Sequence, residues 1–224
     1  MSFASNALLL MLLVLDFGAS PTQTRSDDAP ECTKQGVGKL QLTTEDTTIL
    51  GLTIGSASLK DVQAKLGGTP LLPRNGGASS SNTICFVSPT DGTVLTFGAG
   101  PMGGFVDVTE FSIWSREAKF PNASACSPSK LVSHGLSTTS GIKLGLNDKQ
   151  LSHIIGKRAT ARRTAMHYEL WCRQKMTADE IKRFKTANNW DVSDLPYFDV
   201  TSVVDAYFPS VGASRIDIAK VESH

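Results

Sequence analysis

No stretch of the 224-residue chain approaches the roughly 20 consecutive apolar residues that a membrane span requires; the longest unbroken run, Ala7–Leu15, has nine. Charge of one sign is lacking too. With 22 Lys+Arg against 21 Asp+Glu, bulk binding of nucleic acid or another polyanion is excluded as the main role. Cys-x-x-Cys is absent and no His/Asp/Glu cluster has metal-ligand spacing, which argues against a zinc site, a thioredoxin-like redox motif and any resident cofactor. A Gly-x-Ser-x-Gly elbow is also missing. The four histidines, His134, His153, His167 and His224, are scattered, so nucleophilic catalysis has no local signature. What is present suffices for folding, since the apolar residues together with glycine come to about 47% of the chain, inside the range of about 45–50% found in globular domains.

The apolar run Ala7–Leu15 is followed by Asp16 and by small and polar residues, Gly18 to Thr22, the layout of a secretory signal peptide over residues 1–24 with cleavage between Ala19 and Thr24. No Lys or Arg precedes the run. Its removal takes one acidic residue and no basic one, leaving 22 basic against 20 acidic groups. Four cysteines remain, Cys32, Cys85, Cys126 and Cys172, an even number in a chain expected in the periplasm or outside the cell. Two disulfides are therefore expected.

Gly51-Leu52-Thr53-Ile54-Gly55 recurs ninety residues later as Gly141-Ile142-Lys143-Leu144-Gly145, with both glycines and both apolar positions kept. A short amphipathic helix is predicted after each copy. Ser58 with Asp61, and Asn147 with Gln150, are capping pairs; Leu59, Val62 and Leu66, or Leu151, Ile154 and Ile155, supply an apolar stripe; Gly67 and Gly156 close the helices. Alternating sequence follows. Thr83–Val87 and Thr93–Phe97 flank a turn-rich connection, and Val106–Trp114 reads as a third strand; the second copy offers Met166–Arg173, Val200–Tyr207 and Arg215–Val221. A helical insertion near 177–187 opens on the capping box Thr177 to Glu180. The expectation is an α+β protein of two tandem modules, 25–121 and 122–224, each with short helices packed on one face of an antiparallel sheet.

Each copy has one cysteine before its glycine motif and one in a later strand. The symmetric pairing Cys32 with Cys85 and Cys126 with Cys172 is preferred; its rival joins Cys85 to Cys126 and Cys32 to Cys172.

Gly145-Leu146-Asn147-Asp148-Lys149-Gln150-Leu151, closing on Ile154-Ile155-Gly156, resembles the Gly-Met-Thr...Gln-Val...Leu-Gly signature of the small outer-membrane-assembly lipoproteins, which also opens both halves of β-lactamase inhibitor proteins. The first copy has one more residue between Gly55 and Val62, and neither copy has Met after the glycine. The resemblance implies a doubled helix-helix-sheet module in an exported bacterial protein that acts by binding another protein. It carries over no catalytic residue.

Gly98-Ala99-Gly100-Pro101-Met102-Gly103 matches Gly-x-Gly-x-x-Gly, but Pro101 and Gly104 lead toward another strand rather than a helix. It reads as a strand connection, not a dinucleotide site. Strand alternation offers better candidates. If Tyr168, Leu170 and Cys172 face inward, His167, Glu169, Trp171 and Arg173 face the other way, and Trp114 does so beside Phe111 and Ile113. Trp114, Trp171, Glu169 and Arg173 are thus candidate partner-binding residues, weighed against burial of either indole under a loop. Lys157, Arg158, Arg162 and Arg163 form the densest basic cluster, suited to a helix C-terminus or to weak contact with an anionic surface. Asp191, Asp194, Asp199 and Asp205 are its possible internal counterions. Asn122-Ala123-Ser124 is a glycosylation sequon that matters only in a eukaryotic host.

The sequence therefore points to an exported, non-enzymatic protein-binding module, an inhibitor or envelope adaptor. Two alternatives stand beside it: a periplasmic hydrolase with a site between the modules using His153 or His167, and a structural envelope protein in which Trp114 and Trp171 are buried.

Overall fold

The computed structural model describes residues 30–32, 39–67, 72–74, 81–121, 123–162, 165–188, 196–209 and 212–223. The expected signal peptide, Asn122, Arg163, Asp191, Asp194 and His224 lie outside them.

Both glycine motifs lead into helices for the expected reasons. In α1 (Leu59–Leu66) Ser58 and Asp61 cap each other reciprocally, and in α2 (Asp148–Ile155) Asn147 and Gln150 do the same. Each pair satisfies backbone donors that a first turn leaves unpaired. Gly156 ends α2 at φ 73°, in the left-handed region that glycine enters without a Cβ clash. A short hairpin, β1 (Thr48–Ile49) with β2 (Leu52–Thr53), precedes α1. The third helix, α3 (Ala178–Asn188), opens where its capping box predicts, with Thr177 and Glu180 bonded in both directions.

The remaining strands are β3 (Leu72–Arg74), β4 (Ser81–Val87), β5 (Val94–Ala99), β6 (Glu110–Trp114), β7 (Ser127–Pro128), β8 (Thr160–Arg162), β9 (Ala165–Lys175), β10 (Tyr197–Tyr207) and β11 (Arg215–Ser223). They form one mixed sheet. Eight run in the antiparallel order β3-β4-β5-β6-β11-β10-β9-β8, and β7 lies parallel to β4. Residues 106–109 are not part of β6, contrary to the longer strand expected. They bond instead to the segment ahead of α1, with Gly55 N–H donating to Val108 O, Val108 N–H to Ala57 O and Leu59 N–H to Val106 O.

This single sheet corrects the expectation of two tandem α+β modules with separate sheets. The chain is mostly β, and its halves meet where β6 pairs β11 over five residues, Trp114 opposite Arg215 through Glu110 opposite Ala219. One large hydrophobic cluster then spans both halves: Phe97, Phe111 and Ile113 join Ile216, Ile218 and Tyr168 under Val62, Leu66, Leu151 and Ile155. The physical reason is edge satisfaction. Two separate half-sheets would each expose a row of unpaired backbone groups at β6 or β11, and pairing the two strands removes both edges.

The preferred disulfide pairing is also corrected. The bonds are Cys32–Cys172 and Cys85–Cys126. The segment before each glycine motif adds in parallel to a strand of the other half. Glu31 bridges Arg173, with Arg173 N–H donating to Pro30 O (2.9 Å) and Cys32 N–H to Arg173 O (2.8 Å), while Ser127 and Pro128 register with Phe86 and Val87. Each cysteine therefore arrives beside the far half's cysteine. Tyr168, fully buried, ties α2 to the sheet through its hydroxyl, which donates to Asp148 Oδ1 at 2.6 Å.

Candidate functional site

Alternation along the central strands packs Phe111, Ile113, Tyr168, Leu170, Val204, Ile216 and Ile218 in the core and turns the intervening side chains, most of them polar, to the opposite, open face. That face carries Glu110, Ser112 and Trp114 from β6, Arg215, Asp217 and Ala219 from β11, Val203, Asp205 and Tyr207 from β10, and His167, Glu169, Trp171 and Arg173 from β9. The four residues singled out from the sequence therefore share one face. They do not form one cluster.

Register separates them. Trp114 lies in a cross-strand row with Arg215, Tyr207 and Ala165, and Trp171 stands six residues further along β9. At about 3.3 Å per residue and 4.8 Å per strand, the two indoles are about 25 Å apart. A standard interface of about 800 Å² per partner is about 30 Å across, so one docking footprint would hold the tryptophans only at its opposite ends. Both are half-buried.

Around Trp114 the packing is specific. The Arg215 guanidinium sits 3.8 Å from the centroid of the Trp114 ring and 4.4 Å from that of Tyr207, a cation between two π-faces. The same guanidinium grips Asp217 with two contacts, Nε to Oδ1 at 2.9 Å and Nη2 to Oδ2 at 2.6 Å. Phe120 meets the Trp114 indole edge-on, with centroids 5.1 Å apart. Phe120 belongs to the connection that runs over the face toward Cys126, where Cys85, Val94 and Cys126 form a small second cluster. The Trp114 indole N–H is buried and has no acceptor among the described residues.

A hollow of about 540 Å³ opens beside this stack, its lining including Thr83, Thr96, Glu110, Ser112, Trp114, Phe120, Asp205, Arg215 and Asp217. Glu110, which lines it, folds its carboxylate across Gly98, where a Cβ would collide with it. Burial raises the Asp217 carboxyl above the usual aspartate range, and Asp205 pushes the same way, against the downward pull of Arg215 and Ser112. Tyr207 is raised as well, by burial first.

Across β10 and β9 the polar groups pair off. His167, buried, has Nδ1 2.7 Å from Asp205 Oδ1 and Nε2 3.3 Å from Glu169 Oε2. With each ring nitrogen facing a carboxylate, His167 has none directed at a hydroxyl that it could activate. His153 is exposed on α2. Arg173 Nε lies 3.4 Å from Asp199 Oδ1. In the basic cluster, Arg162 is 3.8 Å from Glu169 and Lys157 donates to the Glu169 backbone carbonyl. Asp199 and Asp205 thus turn to Arg173 and His167 rather than to the cluster. The glycine-rich segment after β5 is a strand connection containing one short 3-10 turn, Pro101–Gly103, as expected.

Arg215, Asp217 and Tyr207 were not among the residues expected at the site. The alternation of β10 and β11 carries the signal, since both strands send charged or aromatic side chains to one face, but only the register joins them to Trp114.

No protein-family model, curated protein or solved structure matches the chain. The two disulfides suggest an oxidising, extracytoplasmic environment. Among the described residues no helix is long and apolar enough to cross a membrane.

Proposed function

We propose that this is an exported, non-catalytic protein, periplasmic or secreted, that binds another protein through the open face of its sheet as an inhibitor or envelope adaptor. The observation that carries the reading is the Trp114–Arg215–Tyr207 stack beside a hollow of about 540 Å³. Aromatic and arginine side chains held in place before binding are the composition of interface hot spots, and a partner that meets them loses little side-chain entropy. Trp171, Glu169 and Arg173 extend the same face and form the far end of the proposed footprint. The resemblance of the glycine motif to that of β-lactamase inhibitor proteins points the same way. Lys157, Arg158 and Arg162, all exposed, add weak contact with anionic surfaces to the proposal.

The test is affinity capture from envelope and secreted extracts with the oxidised protein as bait, beside an Arg215→Ala/Trp171→Ala variant shown by circular dichroism to be folded. A protein retained by the parent and lost by the variant is the expected result. Equal retention by both, or no specific protein on either, would remove the open face as the docking surface.

A further inference from the structure

We infer that His167 is a proton-operated clasp: with its ring protonated it holds Glu169 on the open face, and with its ring neutral it releases Glu169 to Arg162 at the edge of the sheet. The clasp does not depend on the docking reading. Where a partner covers the Trp171 end of the face, the clasp sets which charged group that partner meets.

Proton counting on the imidazole carries the inference. A protonated ring has two N–H groups, whereas a neutral one has a single N–H and a bare nitrogen. His167 faces a carboxylate oxygen at each ring nitrogen, Asp205 Oδ1 at 2.7 Å from Nδ1 and Glu169 Oε2 at 3.3 Å from Nε2. Only the protonated ring donates to both, through two charge-assisted bonds. A neutral ring must set a lone pair against one of the carboxylates. Asp205, the nearer and directly opposite His167 in the β9–β10 register, keeps the remaining proton on Nδ1, so bare Nε2 is left facing Glu169.

A second observation shows where Glu169 goes. Arg162 Nη2, on β8, lies 3.8 Å from the same Oε2, within ion-pair contact but beyond hydrogen-bond distance. Glu169 therefore stands between two cationic groups and leans toward the ring. When the Nε2 proton passes to solvent, repulsion from the bare nitrogen and attraction to Arg162 act in the same direction. The other charged groups around the ring are engaged elsewhere or lie outside bonding distance of it. On β11 Asp217, opposite Asp205, is held by Arg215; in the connection before β8 Lys157 donates to the Glu169 backbone carbonyl and Arg158 is exposed.

His167 is buried, whereas the Glu169 and Arg162 side chains are exposed, so the charge of an inner ring is read at the surface. A protonated ring leaves Arg162 open to an acidic group of a partner. A neutral ring fills that position with Glu169.

The experiment is an NMR titration of the oxidised, ¹³C,¹⁵N-labelled chain from about pH 5 to about pH 9, either side of the ordinary histidine value of about 6.5. The His167 ring nitrogen signals report its charge and which nitrogen keeps the proton, and three-bond couplings to Glu169 Cγ and Cδ report that side chain's rotamer. As the ring loses its proton, the proton left on it is expected at Nδ1, and Glu169 is expected to pass from one staggered well to another. Glu169→Gln is the control. By turning its amide it offers the ring either a carbonyl oxygen or an N–H, so its couplings are expected to stay constant, and dispersion of the remaining signals confirms its fold. Unchanged Glu169 couplings, the same change in Glu169→Gln, a neutral ring with its proton on Nε2, or a ring that keeps one charge state throughout would each overturn the inference. No partner takes part, so failure here is separate from failure of the docking reading, which affinity capture decides.

Discussion

Removing the Cys85–Cys126 bond is expected to destabilise the protein more than removing Cys32–Cys172, although loop length alone orders them the other way. The bonds close loops of 41 and 140 residues; chain entropy in the unfolded state then assigns about 4 kcal/mol to the first and about 5 kcal/mol to the second. The folded state changes that order. Residues 30–32 are tied to β9 by two backbone hydrogen bonds besides the disulfide, so a reduced chain can release this segment and recover entropy while still folded. Cys126 instead holds the connection that covers Trp114 and packs Phe120 and Val94, and letting it go exposes that cluster. The full loss of about 4 kcal/mol is expected for Cys85→Ala/Cys126→Ala and about half of the longer loop's value for Cys32→Ser/Cys172→Ser. Urea denaturation of both double variants measures the difference, with a change in slope expected only if compactness changes. A larger loss for Cys32→Ser/Cys172→Ser would refute the role given to the covering connection. Digestion without reduction that recovered Cys32 linked to Cys85 would remove the premise.

Other consequences are tested separately. Tyr168→Phe is expected to lose about 1–2 kcal/mol, because the buried hydroxyl donates to Asp148 at 2.6 Å; burial, then Asp148, pushes this hydroxyl well above the usual tyrosine range, so in an alkaline absorbance titration Tyr168 ionises only when the chain unfolds. Gly212→Ala is expected to cost about 2 kcal/mol in urea midpoints, since the added Cβ would fall 2.6 Å from the Gly145 carbonyl oxygen. Burial opposes the Asp91 charge, but N–H donors of His134 and Thr93 outweigh it and hold the carboxyl down at about 2 against an ordinary 3.8. A lowered folded value gives stability that is present above the unfolded value and lost as pH falls from about 4 through 2. After allowance for solvent screening this amounts to about 1 kcal/mol, and Asp91→Asn should flatten acid unfolding curves in that window.

Local structure was legible in the sequence because its causes are local. Capping pairs three residues apart start all three helices, Gly67 and Gly156 close the first two, and period-two alternation marks the long strands. The two-module fold failed because alternation says that a segment is a strand and not which strand it pairs with; the β6–β11 junction joins residues about a hundred positions apart. The disulfide preference failed for a related reason. Exchanging the two halves turns Cys32 into Cys126 and Cys85 into Cys172, so the crossed pairing is as symmetric as the one within each half, and symmetry has no power to choose. At the open face, the shared side of Trp114, Trp171, Glu169 and Arg173 follows from period two. The stack of Trp114, Arg215 and Tyr207 needs the register of three strands drawn from both halves, which no local pattern encodes.

The same register makes the halves interdependent. Cutting the chain at the expected boundary, after residue 121, separates β6 from β11 and exposes Phe111 and Ile113 on one fragment and Ile216 and Ile218 on the other, all at most 1% accessible in the whole chain. Exposing even half of each of these side chains costs about 4 kcal/mol in all. Both disulfides are lost as well, because each joins the two fragments. A fragment of about a hundred residues has about 5–15 kcal/mol of stability to begin with, and the two losses together consume most or all of it. Residues 25–121 and 122–224 expressed separately are therefore expected to show poor amide dispersion and no cooperative urea transition, and to fold when mixed and oxidised. A cooperative transition in either fragment alone would show that its half-sheet closes without the other, and the crossed disulfides would then only join two units that are each already stable.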